Sequence, residues 1–222
     1  MASLVCTLLI QAQTAEEIIA KVKAKLEKVN DYEAKGKMKT NVVFIKAPIA
    51  NVKVYYKKPN KLRINNESGI SFIPKGSMNI NLNNIFINTE GFDLIDMGKE
   101  EKTSFRMIKL LPKDENADVV LSTVYIDEKQ SLIRKAKTTT KENGTYELEM
   151  TYGKYAAWGL ADKVSFKFNT KDYKLPKGIT FDYDDGSKKE PNTDKLKNKK
   201  GEVEIVYSSY IINKGVSDTV FK

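Results

Sequence analysis

Beyond Asn30 the apolar residues of this chain recur at every second position, and that period constrains the fold more than any other feature. Val52, Val54 and Tyr56 fall on one face of an extended segment, while Lys53, Tyr55 and Lys57 fall on the other. Tyr146, Leu148, Met150 and Tyr152 alternate with Glu147, Glu149 and Thr151. Val164, Phe166 and Phe168 alternate with Ser165 and Lys167, and the pattern returns at Ile179, Phe181 and Tyr183 and at Val203, Ile205 and Tyr207. Turn signals separate the runs: Pro59-Asn60, Asn143-Gly144 and the stretch IDEKQS at 126–131. Successive strands with one oily and one polar face describe an antiparallel barrel or sandwich.

The segment from Thr14 to Val29 has a different period. Ile18, Ile19, Val22, Leu26 and Val29 share one helical face, and Thr14-x-x-Glu17 is a capping box. One amphipathic helix therefore precedes the strands. It packs on the sheet, and whether it also covers an opening is left undecided by the pattern. Two stretches lack a clear period. Residues 67–102 are rich in Asn and Gly and read as weak strands or lid loops, and 184–200 is almost free of apolar side chains and reads as a solvated loop.

The N-terminus, MASLVCTLLIQAQ, carries a short apolar run followed by small and polar residues. Residues 1–12 read as the end of a cleaved secretory leader, truncated because no charged segment precedes the apolar run. A lipid-modified Cys6 and a cytosolic start are the other readings. Residues 13–222 then form one domain. No run approaches the ~20 apolar residues of a membrane span.

Composition excludes several kinds of chemistry. The chain has no histidine and its one cysteine is Cys6, so Ser-His-Asp and Cys-His catalysis and the common zinc sites have no ligands here. Asp182, Asp184 and Asp185 resemble a calcium loop faintly, but the closing glutamate is missing. Glu147 and Glu149 lie on the polar side of their strand, which disfavours a carboxylate pair in a groove. No phosphate-binding glycine loop is present, and the sequons at Asn66 and Asn143 are too common a pattern to carry weight. No catalytic residue, metal or cofactor is expected. The net charge is +9, yet only Arg63, Arg106 and Arg134 are arginines. A lysine-rich, arginine-poor excess suits a solvated or lipid-facing surface better than a nucleic-acid groove.

What remains is apolar area. One helix cannot cover a sheet of about ten strands. Either the sheet closes and fills its own interior, or it stays open and holds something apolar.

Four segments together resemble the LolA/LolB-like family of periplasmic lipoprotein carriers. They are the opening helix running into LEKVNDYEAKGKM (26–38), the aromatic strand and basic, proline-marked corner VYYKKPNKLRI (54–64), IKLLPKDENADVVLSTVYIDEKQSLIRKA (108–136), and FKFNTKDYKLPKGITF (166–181). The tail YIINKGVSDTVFK is similar to an extension of some relatives. The resemblance implies a mainly β fold with α: an incomplete antiparallel β-barrel, a LolA-like half-barrel, whose N-terminal helix covers a hydrophobic cavity. It implies a monomeric, periplasmic, non-enzymatic protein that takes lipoprotein acyl chains or lipid from an inner-membrane transporter to an outer-membrane acceptor. Ile19, Val22 and Leu26 of the helix, with Val54, Tyr56, Leu62, Ile64, Phe166 and Phe168, are the candidate cavity lining, and Lys58 stands at its mouth. Some carriers place at the position of Lys58 an arginine that latches the lid backbone. A lysine offers three donors but no planar fork, so a weaker latch is expected. The alternative on the same fold is a sensor that recognises lipoproteins or glycolipids for a signalling partner. A hydrolase acting through carboxylates alone is a third, more remote reading.

Overall fold

The computed structural model describes residues 13–41, 49–66, 89–142, 144–169 and 200–221. The helix α1 spans Ala15–Leu26. Its start is set by the expected capping box: the Glu17 amide donates to Thr14 Oγ1 at 3.2 Å and the Thr14 amide to Glu17 Oε2 at 3.3 Å. Glu16 and Glu17 in the first turn and Lys23 and Lys25 near the last complement the helix dipole. The helix stops three residues before Val29, which is nevertheless buried, because the turn 27–29 folds its side chain back under the helix end.

Ten strands follow among the described residues: β1 Asp31–Asn41, β2 Ala50–Lys57, β3 Lys61–Asn66, β4 Phe92–Lys99, β5 Arg106–Pro112, β6 Val119–Asp127, β7 Leu132–Thr140, β8 Gly144–Thr151, β9 Lys163–Asn169 and β10 Lys200–Ile212. They form one antiparallel sheet in the order β3-β2-β1-β10-β9-β8-β7-β6-β5-β4. The last strand inserts beside the first, so β3 and β4 are the two edges and the sheet is not closed. Of the irregular stretch 67–102, residues 92–99 form the edge strand β4, and 67–88 lie outside the described residues. The run around Ile179, Phe181 and Tyr183, the aspartates at 182–185 and the loop 184–200 up to Lys199 lie outside them as well.

The period-two pattern sorts side chains as expected. Val52, Val54 and Tyr56 are buried, and their alternates on β2 are exposed or half-buried. Ile108 and Leu110 on β5, Val124 and Ile126 on β6 and Val203 and Ile205 on β10 continue the same concave core. The α1 residues Ile18, Ile19 and Val22 belong to that core, so the helix covers the concave face. Two glycines are required by close approach. A Cβ on Gly36 would lie 2.6 Å from the Val206 carbonyl oxygen at the bulge between β1 and β10. Opposite Phe168, a Cβ on Gly201 would lie 2.5 Å from the aromatic ring. Glu147 and Glu149 point outward, pairing with Lys135 at 2.9 Å and Lys167 at 2.6 Å. The hydrogen bond from Lys167 holds the Glu149 carboxyl below the usual range.

Candidate functional site

The sequence corner VYYKKPNKLRI becomes β2, a turn and β3, with Val54 opposite Ile64 and Tyr56 opposite Leu62. The Lys58–Pro59 peptide is cis. Alternation places Lys57 on the outer face, where it meets Asp218 of the tail at 3.1 Å. Lys58 lies at the turn itself. Its amide donates to the Asn30 carbonyl at 2.8 Å, and its ammonium donates to the Glu27 carbonyl at 2.7 Å and to Asn30 Oδ1 at 3.2 Å. Glu27 is the C-cap of α1. The lysine thus reaches unpaired carbonyls at the negative end of the helix dipole, where a cation is favoured.

Two further ties hold the same helix end. Asn213, just past β10, accepts from the Asn30 amide at 2.7 Å through Oδ1 and donates to the Lys28 carbonyl at 2.8 Å through Nδ2. It adopts φ of +56°, a left-handed conformation that asparagine tolerates better than most residues. The Lys25 ammonium also donates to the Gln130 carbonyl on the β6–β7 turn.

Beneath this helix end lies an apolar cleft of ≈ 170 Å³. Leu26 and Val29 form its roof, and Tyr32, Tyr56 and Leu62 form one wall. Leu148, Met150, Val164, Tyr207 and Tyr210 form its floor, with Ile133, Tyr152 and the segment 158–161 closing the far side. Tyrosines dominate the lining. Tyr32 lies 5.4 Å from Tyr56 and meets Tyr210 edge-on at 5.3 Å, and Tyr207 lies 5.1 Å from Tyr210, measured between ring centroids. These separations are in the favourable range for aromatic pairs. The Tyr210 hydroxyl donates to the Ala161 carbonyl at 2.7 Å, and the Tyr152 hydroxyl donates to the Ile133 carbonyl at 2.8 Å. Burial pushes the phenols of Tyr32, Tyr152, Tyr207 and Tyr210 well above their ordinary value, so they remain neutral and act as an oily surface with a few polar tips.

The candidate lining residues fall into three groups. Leu26, Tyr56 and Leu62 line the cleft, with Lys58 at the adjoining turn. Ile19 and Val22 of α1 and Val54, Phe166 and Phe168 of the sheet are packed in the core between helix and sheet, and Ile64 packs against that core. Sequence reasoning missed the rest of the lining, from Val29 and Tyr32 through Ile133, Leu148, Met150 and Tyr152 to the segment 158–161, Val164, Tyr207 and Tyr210, and it missed Asn213 as a helix tie. The aromatic density of the tail strand was a signal for Tyr210. The short 3-10 turn Ala156–Trp158, which carries the far wall, has no periodic pattern to reveal it. Among the described residues no cluster of acidic or thiol side chains could hold a metal ion, and no helix is long and apolar enough to cross a membrane.

No protein-family model matches this chain, and no curated protein matches it. Solved structures do. A LolA superfamily protein from Nitrosomonas europaea is 10% identical, with a TM-score of 0.58 over 95% of this chain and 98% of its own. A domain named for outer membrane lipoprotein sorting, from Vibrio parahaemolyticus, is 10% identical, with a TM-score of 0.55 over 92% of this chain and 94% of its own. A DUF1329 family protein from Desulfovibrio piger is 12% identical, with a TM-score of 0.55 over 95% and 98% of the two chains. At these identities the likeness is one of fold. The open ten-stranded sheet, the helix laid across its concave face and the cleft under the helix end together make this a LolA-like fold.

Proposed function

We propose that this protein is a periplasmic, non-enzymatic carrier that holds the acyl chains of a lipoprotein or lipid against the concave face of its sheet and delivers them to the outer membrane. The observation that carries this reading is the tyrosine-lined cleft under a helix end held by polar ties. A cavity of about 150 Å³ takes a guest the size of benzene. The cleft of ≈ 170 Å³ therefore admits the end of an acyl chain and not its whole length. Full loading requires α1 to lift, after which lipid methylenes replace Ile19, Val22 and Leu26 against Val54, Ile64, Phe166 and Phe168. Each buried CH₂ contributes ~0.8 kcal/mol, so a ~16-carbon chain gains roughly 12 kcal/mol gross. Displacing the helix and ordering the chain offset much of that, which keeps release feasible. Lys58 stands at the mouth, where the polar end of the cargo stays wet. Residues 1–12 act as an export leader, and 13–222 work as one domain with an inner-membrane donor and an outer-membrane acceptor.

Native mass spectrometry of gently purified protein tests this. Acyl-bearing adducts are expected, and Leu62→Glu, which sets a charge into the cleft wall, is expected to abolish them. A protein that never carries lipid and takes none up from micelles overturns the proposal.

A further inference from the structure

The outer face of the sheet divides into two sectors of different charge. Over β7–β10, cations and carboxylates alternate in pairs: Lys135 with Glu147, Lys167 with Glu149, and Lys163 with Glu204 at 2.5 Å. Over β1–β3 the outward positions carry Lys35, Lys37 and Lys39, then Lys53 and Lys57, then Lys61 and Arg63. Glu33 shares the outward face two residues before Lys35, and the other nearby carboxylates are engaged. Asp218 bridges Lys57 and Lys61 at 3.1 and 2.8 Å, and Asp31 accepts the Lys214 and Gly215 amides at 3.1 and 2.9 Å. Glu204, opposite Lys39 in the register, is engaged by Lys163. Lys35, Lys37 and Lys39 are exposed, and among the described residues they form no ion pair. Spaced two residues apart, their Cα atoms recur every ~6.8 Å along one strand, a row of like charges with no ion-pair partner among the described residues.

The bulge at Lys35/Gly36 opens this row into a groove of ≈ 450 Å³. Lys35, Lys37, Asn51 and Ser208 supply its polar lining, and Val206, 45% exposed, gives it an apolar wall. Cations, the Asn51 amide and one greasy side chain suit a phosphate-bearing headgroup whose glycerol and first methylenes lie alongside; the Ser208 hydroxyl already donates to the Lys35 carbonyl at 3.1 Å.

We propose that the β1–β3 outer sector docks on an anionic phospholipid surface, with a headgroup phosphate seated in the groove between Lys35 and Lys37. The cations favour this over nucleic acid: six of the seven are lysines, point charges suited to a diffuse headgroup layer, and the forked guanidinium that reads bases is nearly absent. The sector is continuous with the cleft mouth, because Lys57 and Lys61 flank the turn that carries Lys58. Docking therefore brings the mouth to the bilayer. The docking itself stands on the charge layout; its use in cargo exchange rests on the carrier reading.

Co-sedimentation of the whole protein with vesicles tests it, using phosphatidylglycerol mixed with phosphatidylcholine against phosphatidylcholine alone. The protein is expected to pellet only with the anionic vesicles and to be released by salt. At about fivefold per lysine near the surface, K35Q/K37Q/K39Q is expected to weaken binding roughly 100-fold. K102Q/K129Q/K137Q removes the same charge from other exposed positions and is expected to stay within about threefold of wild type, since distant charges are screened. Equal losses in both triple variants overturn the proposal, because binding then follows net charge alone. Failure of the wild type to bind anionic vesicles also overturns it and points to an acidic protein partner. Acyl adducts in K35Q/K37Q/K39Q should match wild type, which separates this outcome from the fate of the carrier reading.

Discussion

The Lys58 ammonium lies 2.7 Å from the Glu27 carbonyl oxygen, so the turn of a β-hairpin is tied to the C-cap of the helix that covers the core. The same ammonium also donates to Asn30 Oδ1 at 3.2 Å. Lys58→Met removes both bonds but keeps the backbone bond from the Lys58 amide. The expected loss is about 0.5–1.5 kcal/mol in urea unfolding. Amides of α1 should exchange faster while those of the central strands stay unchanged, and Lys58→Arg should restore protection. Unaltered exchange in the Met variant means that the other ties carry the helix end alone.

Ile19 is 2% exposed and sits between α1 and the sheet. Ile19→Ala is expected to cost about 2–5 kcal/mol by denaturant titration, through lost burial and an unfilled cavity. Leu26→Ala, at the half-open cleft, is expected to cost less. A loss below about 1 kcal/mol at Ile19 means that the helix is only loosely seated.

Gly36 has no room for a methyl group against the Val206 carbonyl. Gly36→Ala must therefore push β1 away from β10, the joint between the two ends of the chain. A loss of about 1–3 kcal/mol is expected. The near-ultraviolet dichroism should change too, because Tyr207 lies across the same bulge.

The buried phenols predict an alkaline titration displaced to high pH. Burial pushes Tyr146 up to about 12 and also raises Tyr32, Tyr152, Tyr207 and Tyr210. Unfolded tyrosine ionises near ~10. The folded state therefore binds these protons more tightly, and the stability they contribute is complete below pH ~10 and lost as pH rises above it. Phenolate absorbance from these phenols should rise only well above pH ~10, together with loss of tertiary dichroism. A single step near pH 10 with the fold intact means that the cleft is wet.

Much of the fold was legible because burial on one face leaves a periodic record. Each strand must alternate if one side meets the core and the other meets water, so β2, β8 and β9 can be read from residue order. The start of α1 was legible because a capping box is a local contract between Thr14 and Glu17. Its end was not: Glu27 and Asn30 are fixed by Lys58 and Asn213, residues 31 and 183 positions away. The edge strand β4 falls in a stretch that reads as weak strands or lid loops, because Ile95 and Met97 face outward there and blur the alternation.

By itself the chain order determined the helix, the strand faces and the basic corner, since each follows from contacts among near neighbours or from which side meets water. Only the tertiary structure decided that β10 inserts beside β1, that tyrosines from β1, β2 and β10 and Tyr152 just past β8 converge on one cleft, and that most of the proposed lining is packed between α1 and the sheet. Those outcomes depend on pairing between distant strands and on the volume left between helix and sheet. Neither quantity is a property of any local segment, so no local pattern records it.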